Sequence, residues 1–133
     1  MSHSGGISSK LVFLSDLPHL KDRDKVRFLG CVDQYDIKTD ELLLQHQYPH
    51  RGPKITASVN ISLVRETLKS AVLQSGAWVN VVGYVQNGTS FAQTSYANVT
   101  VPVQAIMLLD TVALNLAEYE KAVQARKDAG TTG

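Results

Sequence analysis

A single cysteine, Cys31, stands among 133 residues. One thiol can form neither an intrachain disulfide framework nor a multi-cysteine zinc cage. Charge of one sign is also lacking. Lys and Arg number 13, Asp and Glu 12, and the formal net charge is +1. That balance argues against coating DNA or an anionic membrane through bulk charge, although it leaves room for a small basic patch. No apolar run approaches the ~20 residues that span a bilayer. The first ten residues are rich in Ser and Gly and lack a basic segment followed by an apolar one, so no secretory signal is expected.

Chemistry-bearing constellations are missing as well. His46 and His50 are four apart, but Pro49 between them prevents a shared helix face. Cys31 has no His at a spacing that would activate it. Asn87-Gly88 is a turn signal, and there is no glycine-rich phosphate loop. No acid, base, nucleophile or metal set can be assembled, so neither an enzyme nor a cofactor is expected.

Apolar residues make up 44% of a 14.5 kDa chain, enough for the core of one domain. The expected organisation is a flexible leader over 1–9, a domain over 10–127 and a disordered tail over 128–133. Lys10 to Leu14 reads as an extended segment, and Pro18 to Lys25 as a surface loop. Val26, Phe28 and Val32 mark a first strand to Asp36, with a change of facing at Gly30. Leu42, Leu44, His46 and Tyr48 share one side of a second strand over 41–48. Ile55, Ala57, Val59 and Ile61 alternate with polar residues and give the clearest strand of all. A helix capped by Ser62 is then expected, with Val64, Leu68, Ala71 and Val72 as its apolar stripe and Gly76 as its stop. Trp78 to Gln86 is a fourth strand. Asn87 to Thr100 is a long polar connection. Val101 to Asp110 is a fifth strand, apolar on both faces (Val103, Ala105, Met107 and Leu109 against Ile106 and Leu108), which needs cover on both sides. Val112 to about Lys127 is a closing helix.

Three strands, a helix, two strands and a helix match a mainly β fold: a five-stranded OB-fold Greek-key barrel, with a helix between strands three and four and a C-terminal helix. An open α+β sandwich is the rival, and the glycine in the first strand favours the barrel.

Val26-Arg-Phe-Leu-Gly30-Cys-Val-Asp-Gln-Tyr35-Asp36, followed by Leu42-Leu-Leu-Gln-His46, resembles the first hairpin of the smallest subunit of the CST telomere-capping complex, the Ten-one family. Trp78-Val-Asn-Val-Val-Gly83-Tyr-Val and the run from Val103 to Val123 are similar to its fourth strand, fifth strand and C-terminal helix, in the fungal form. The resemblance spans Lys10 to Arg126 and rests on core pattern, not on a catalytic signature. It implies a non-enzymatic nuclear protein at the telomere. Its partner would be the N-terminal OB domain of the middle CST subunit, with the largest subunit contacted indirectly and single-stranded telomeric DNA bound within the complex. A stand-alone OB-fold that binds single-stranded DNA or RNA is the alternative.

Two surfaces follow as expectations. Leu114 and Ala117 widen the apolar arc of the last helix beyond one packing surface. The expected partner contact is Met107 and Leu109 on the fifth strand, with Val112, Ala113, Leu116, Tyr119, Glu120 and Val123. On that reading Leu116 and Tyr119 can be charged without loss of fold. A nucleic-acid face would use cations for phosphates and aromatic rings for stacking: Lys38, Tyr48, Arg51, Lys54, Phe91 and Tyr96.

Overall fold

Alternating apolar residues roll the middle of the chain into a closed sheet. A computed structural model describes residues 8–48, 54–86, 98–111 and 114–130. The strands are β1 (Lys10–Leu11), β2 (Lys25–Asp36), β3 (Glu41–Gln45), β4 (Lys54–Asn60), β5 (Trp78–Val85) and β6 (Asn98–Asp110). The last element is helix α1 (Leu116–Gly130). β2 is long enough to serve two neighbours: Lys25–Cys31 pairs with β5, and Cys31–Asp36 pairs with β3. β3 then pairs with β4, β4 runs parallel to β6, and β6 returns to β5. The ring of β2 to β6 is the expected OB barrel, and the two-residue β1 lies parallel on β2. The strand bounds differ from expectation by up to three residues: β3 ends at Gln45 and not Tyr48, and β6 begins at Asn98 and not Val101.

The barrel interior is filled by one face of each strand, including Val26, Phe28, Leu42, Leu44, Val59, Val81 and Val103, all fully buried. The handover in β2 occurs at Gly30. A Cβ there would stand 2.8 Å from Leu44 Cβ and 3.1 Å from Leu14 Cδ1, so the coil in the strand is tied to the absence of a side chain.

The helix expected between strands three and four is corrected to two 3₁₀ turns, Arg65–Thr67 and Ser70–Leu73. Extended backbone at Leu68 and Lys69 separates them. Local side-chain bonds compete with the α-helix here. Asn60 Oδ1 accepts from both the N–H and the hydroxyl of Ser62, at 2.9 and 2.6 Å, so Ser62 is not a helix cap. Thr67 Oγ1 bonds back to the Val64 carbonyl at 2.8 Å. Val64 and Val72 are nonetheless buried in the core. A further 3₁₀ turn, Leu14–His19, runs from the end of the expected extended segment into the start of the expected surface loop, and it places Leu14 and Leu17 in the core. At the other end, α1 starts at Leu116, later than expected, and reaches Gly130, past the expected start of the tail at 128. Most of the expected leader, residues 1–7, and residues 131–133 lie outside the described residues.

β6 also departs from simple alternation. Gly83 pairs with Ala105, and Val82 pairs with Met107, so Ile106 is an extra residue. A bulge of this kind reverses the facing of all that follows. Val101, Val103 and Ala105 point inward, and so does Leu108, while Met107 and Leu109 point outward. The expectation that Val103, Ala105, Met107 and Leu109 share one covered face is therefore corrected. Opposite the bulge, a Cβ at Gly83 would run into the carbonyl oxygen of Gln104. Gly83→Ala should cost about 1–3 kcal/mol through backbone displacement, and Gly30→Ala should cost less because its closest overlap, with Leu44 Cβ at 2.8 Å, is smaller. Urea unfolding of the two variants measures both the loss and its order.

Candidate interaction site

The double duty of β2 leaves part of one edge without a strand. β1 covers that edge as far as Arg27, whose carbonyl also accepts from the Val12 N–H at 3.0 Å, and β3 begins only at Cys31. Between them the Leu29 N–H needs an acceptor. Tyr119 of α1 supplies it: its phenol oxygen accepts from Leu29 N at 3.1 Å and donates to the Val12 carbonyl at 3.4 Å. Burial pushes the Tyr119 hydroxyl up to about 12, against a smaller opposing pull from the Leu29 N–H. The next residue, Glu120, meets buried His46, with Oε2 2.7 Å from Nε2. One turn on, Val123 is fully buried. Lys127 Nζ lies 2.9 Å from Asp16 Oδ1 and 5.5 Å from the centre of the Phe13 ring. Residues 119, 120, 123 and 127 make one helix stripe, and all of it faces the chain's own barrel.

Beneath the stripe lies an aromatic shelf. Phe13 is buried and packs on Tyr48 at 4.5 Å, on His46 at 6.0 Å and on Tyr119 at 6.5 Å. Trp78 meets His46 edge-on at 5.5 Å. Asp16 Oδ2 accepts from the Phe13 N–H at 3.0 Å and so fixes the backbone that carries the ring.

The open apolar surface is elsewhere. Met107 and Leu109 are 48% and 47% exposed, and Ile106 beside them is exposed too. Met107 stands across from Val82, and Leu109 across from Asn80. Tyr84 is exposed further along β5, and Leu114, ahead of α1, is exposed as well. Apolar side chains in register on one sheet face form a patch, unlike single exposed residues scattered over a surface.

The family model described as "Telomere capping, CST complex subunit" matches residues 1–124. The chain belongs to the Ten1 family. Protein ten1 of Schizosaccharomyces pombe is 26% identical over 121 residues, which is 90% of this chain and 95% of that one. A crystal structure of an S. pombe Stn1-ten1 complex includes a chain with TM-score 0.68 and 27% identity, over 93% of this chain and 96% of that one. Replication protein A of U. maydis, solved bound to ssDNA, shares the fold at TM-score 0.57 and 21% identity, over 88% and 87% of the two chains.

Within this Ten1-family barrel the residues singled out from sequence separate into groups. Met107 and Leu109 are open, and Leu116 is half-buried. Tyr119, Glu120 and Val123 pack on the barrel, so the expectation that Tyr119 can be charged without loss of fold is corrected. Among the described residues its hydroxyl is the partner of the Leu29 N–H. Val112 and Ala113 lie outside the described residues. Among the nucleic-acid candidates, Lys38 sits in the β2–β3 turn, with its N–H on Asp36 Oδ1 at 2.9 Å. Tyr48 and Lys54 are at the opposite end of β3 and β4. One face of Tyr48 is taken by Phe13, and its carbonyl accepts from Ser15 Oγ at 2.5 Å. Arg51, Phe91 and Tyr96 lie outside the described residues. Cys31 is half-buried, and burial first, then Asp33, pushes its thiol up, away from a reactive thiolate. Among the described residues, no group of three His, Cys, Asp or Glu is placed to hold a metal ion.

Sequence reasoning missed the roles of Phe13, Asp16, His46 and Lys127. The alternation Leu42, Leu44, His46 signalled a buried histidine, but nothing local pointed to Glu120. Tyr119→Phe leaves the Leu29 N–H without its acceptor and should cost about 1–3 kcal/mol, read by urea unfolding at neutral pH. The tyrosine also sets a pH dependence. The unfolded chain ionises Tyr119 near 10 and the folded chain near 12. Its contribution is therefore whole below pH 10 and is lost as pH rises towards 12. Stability measured across that window should fall less steeply in Tyr119→Phe.

Proposed function

We propose that this chain is the small OB-fold subunit of a telomere-capping assembly at chromosome ends in the nucleus. It pairs there with the N-terminal OB domain of a middle subunit of the Stn1 kind, and through it with the largest subunit. The observation that carries this reading is the outward row of Met107 and Leu109, set by the bulge at Ile106 and continued by Val82 and Tyr84. An apolar row of this kind on a small barrel calls for a second polypeptide to cover it. Family membership supports the capping role, and the S. pombe relative crystallised with Stn1 supports the class of partner. Leu114 and half-buried Leu116 extend the same contact, and Val112 and Ala113 between β6 and α1 complete it. The work is binding, with no chemical step.

Single-stranded telomeric DNA is held by the assembled complex. In this chain Lys38 and Lys54 are the described cations of the candidate face, with Arg51, Tyr48, Phe91 and Tyr96 as the other contacts. The fold shared with replication protein A supports this part of the reading. Few cations make a shallow salt dependence.

Met107→Glu with Leu109→Glu should weaken the partner by about 2 kcal/mol or more per residue, the scale of central interface anchors. The melting temperature should move little, because about half of each residue is already in water. Isothermal titration against the purified middle subunit, with a thermal melt as control, decides the matter. A folded double variant that binds as tightly as the natural chain sinks the reading. For DNA, a labelled telomeric single strand should bind the pair more tightly than either subunit. Lys54→Ala should lower the salt slope by roughly 0.7. No binding by the pair at low salt removes the nucleic-acid role.

A further inference from the structure

The barrel closes without its last helix. The main apolar core draws on β2 to β6 and the 3₁₀ turns, and it contains no residue of α1. The helix contributes one fully buried apolar side chain, Val123. Other described ties to the barrel run through Tyr119, bonded to Leu29 and Val12 and edge-on to the Phe13 ring, through Glu120 at His46, and through Lys127 at Asp16 and over the Phe13 ring. Ala117, Ala122 and Ala125 are exposed and bury little apolar surface. His46–Glu120 is a well-buried contact between ionisable groups, with side chains 3% and 17% exposed. No described residue bonds to His46 Nδ1, so Glu120 is the ring's one side-chain hydrogen-bond partner among them. Elements held by few apolar contacts open locally at a cost well below that of global unfolding.

We propose that α1 is a releasable arm, pinned to the barrel through the His46–Glu120 contact, and that the barrel stays folded when the arm lifts. Release uncovers the shelf of Phe13, His46, Tyr48 and Trp78. Glu120 acts as a positioning residue: it sets where the helix lies and touches no ligand. The inference concerns contacts within this chain and stands whether or not the partner surface proposed above is right.

The test is amide hydrogen exchange on the full chain. Glu120→Ala should speed exchange along α1 by roughly tenfold or more, with the amides of β2 and β5 unchanged. Glu120→Gln keeps an acceptor for His46 and should recover most of that loss. Glu118→Ala removes an exposed carboxylate from the same turn and should do far less. Trp78, the chain's only tryptophan, reports independently, because its emission should shift to the red in Glu120→Ala as the shelf takes up water. Equal acceleration of helix and barrel, or an equal effect of Glu118→Ala, overturns the proposal. Should the alanine variant fail to fold, the natural chain still decides. Its α1 amides should exchange with little dependence on sub-denaturing urea while those of β2 depend on it steeply. A shared steep dependence means that helix and barrel open as one unit, and the arm does not exist.

Discussion

One strand must hydrogen-bond to two different neighbours, and most of the molecule follows from that demand. β2 pairs with β5 through its first half and β3 through its second. The switch requires a coil, and the coil requires Gly30, where Leu44 and Leu14 leave no room for a side chain. It also leaves backbone at Leu29 that no strand serves. A buried N–H without an acceptor costs as much as a lost hydrogen bond or more. The phenol of Tyr119 meets that need, and so the terminal helix is tied to the barrel's first strand as well as to His46.

The same economy of backbone explains the surface. A single extra residue at Ile106 turns Met107 and Leu109 out of the core, while Leu108 takes the inward place. Had the alternation run on unbroken, Met107 and Leu109 would have continued the buried row of Val103 and Ala105. The strand would then have presented a polar outer face only if its sequence supplied one, and with Ile106 and Leu108 it does not. An all-apolar strand end therefore exposes something greasy in either register. The bulge chooses which residues, and it aligns them with Val82 on the neighbouring strand.

The barrel was legible in the sequence because each of its strands carries its own period. Ile55 to Ile61 needs no context to be read, and Leu42, Leu44 and His46 needed little. The helix between strands three and four was misread because Val64, Leu68 and Val72 have helical spacing, whereas the bonds of Asn60 to Ser62 and of Thr67 to Val64 decide the backbone. Leu14 and Leu17 were hidden beside Pro18 and a run of charges. The site was harder still. The apolar character of Met107 and Leu109 was plain, but their exposure depends on a bulge made by pairing. Tyr119 and Val123 stand on one helix face by spacing alone. What the stripe meets is decided by Leu29, Val12 and His46, which lie far away in the chain and carry no mark of the meeting.

The parallel pairing of β4 with β6 has a kinetic side. Its partners, such as Ile55 and Val99, are 44 residues apart, and β5 and the 3₁₀ turns lie between them. Contacts so distant along the chain incur their loop-closure entropy before they return any stabilisation. As the polypeptide leaves the ribosome, β2, β3 and β4 can form a meander early, while the far edge of β4 waits for nearly the whole remaining chain. During that interval a strand of alternating Ile, Ala and Val shows unpaired backbone to any passing sheet. The slowest and most hazardous moment in the life of this barrel is thus its final closure.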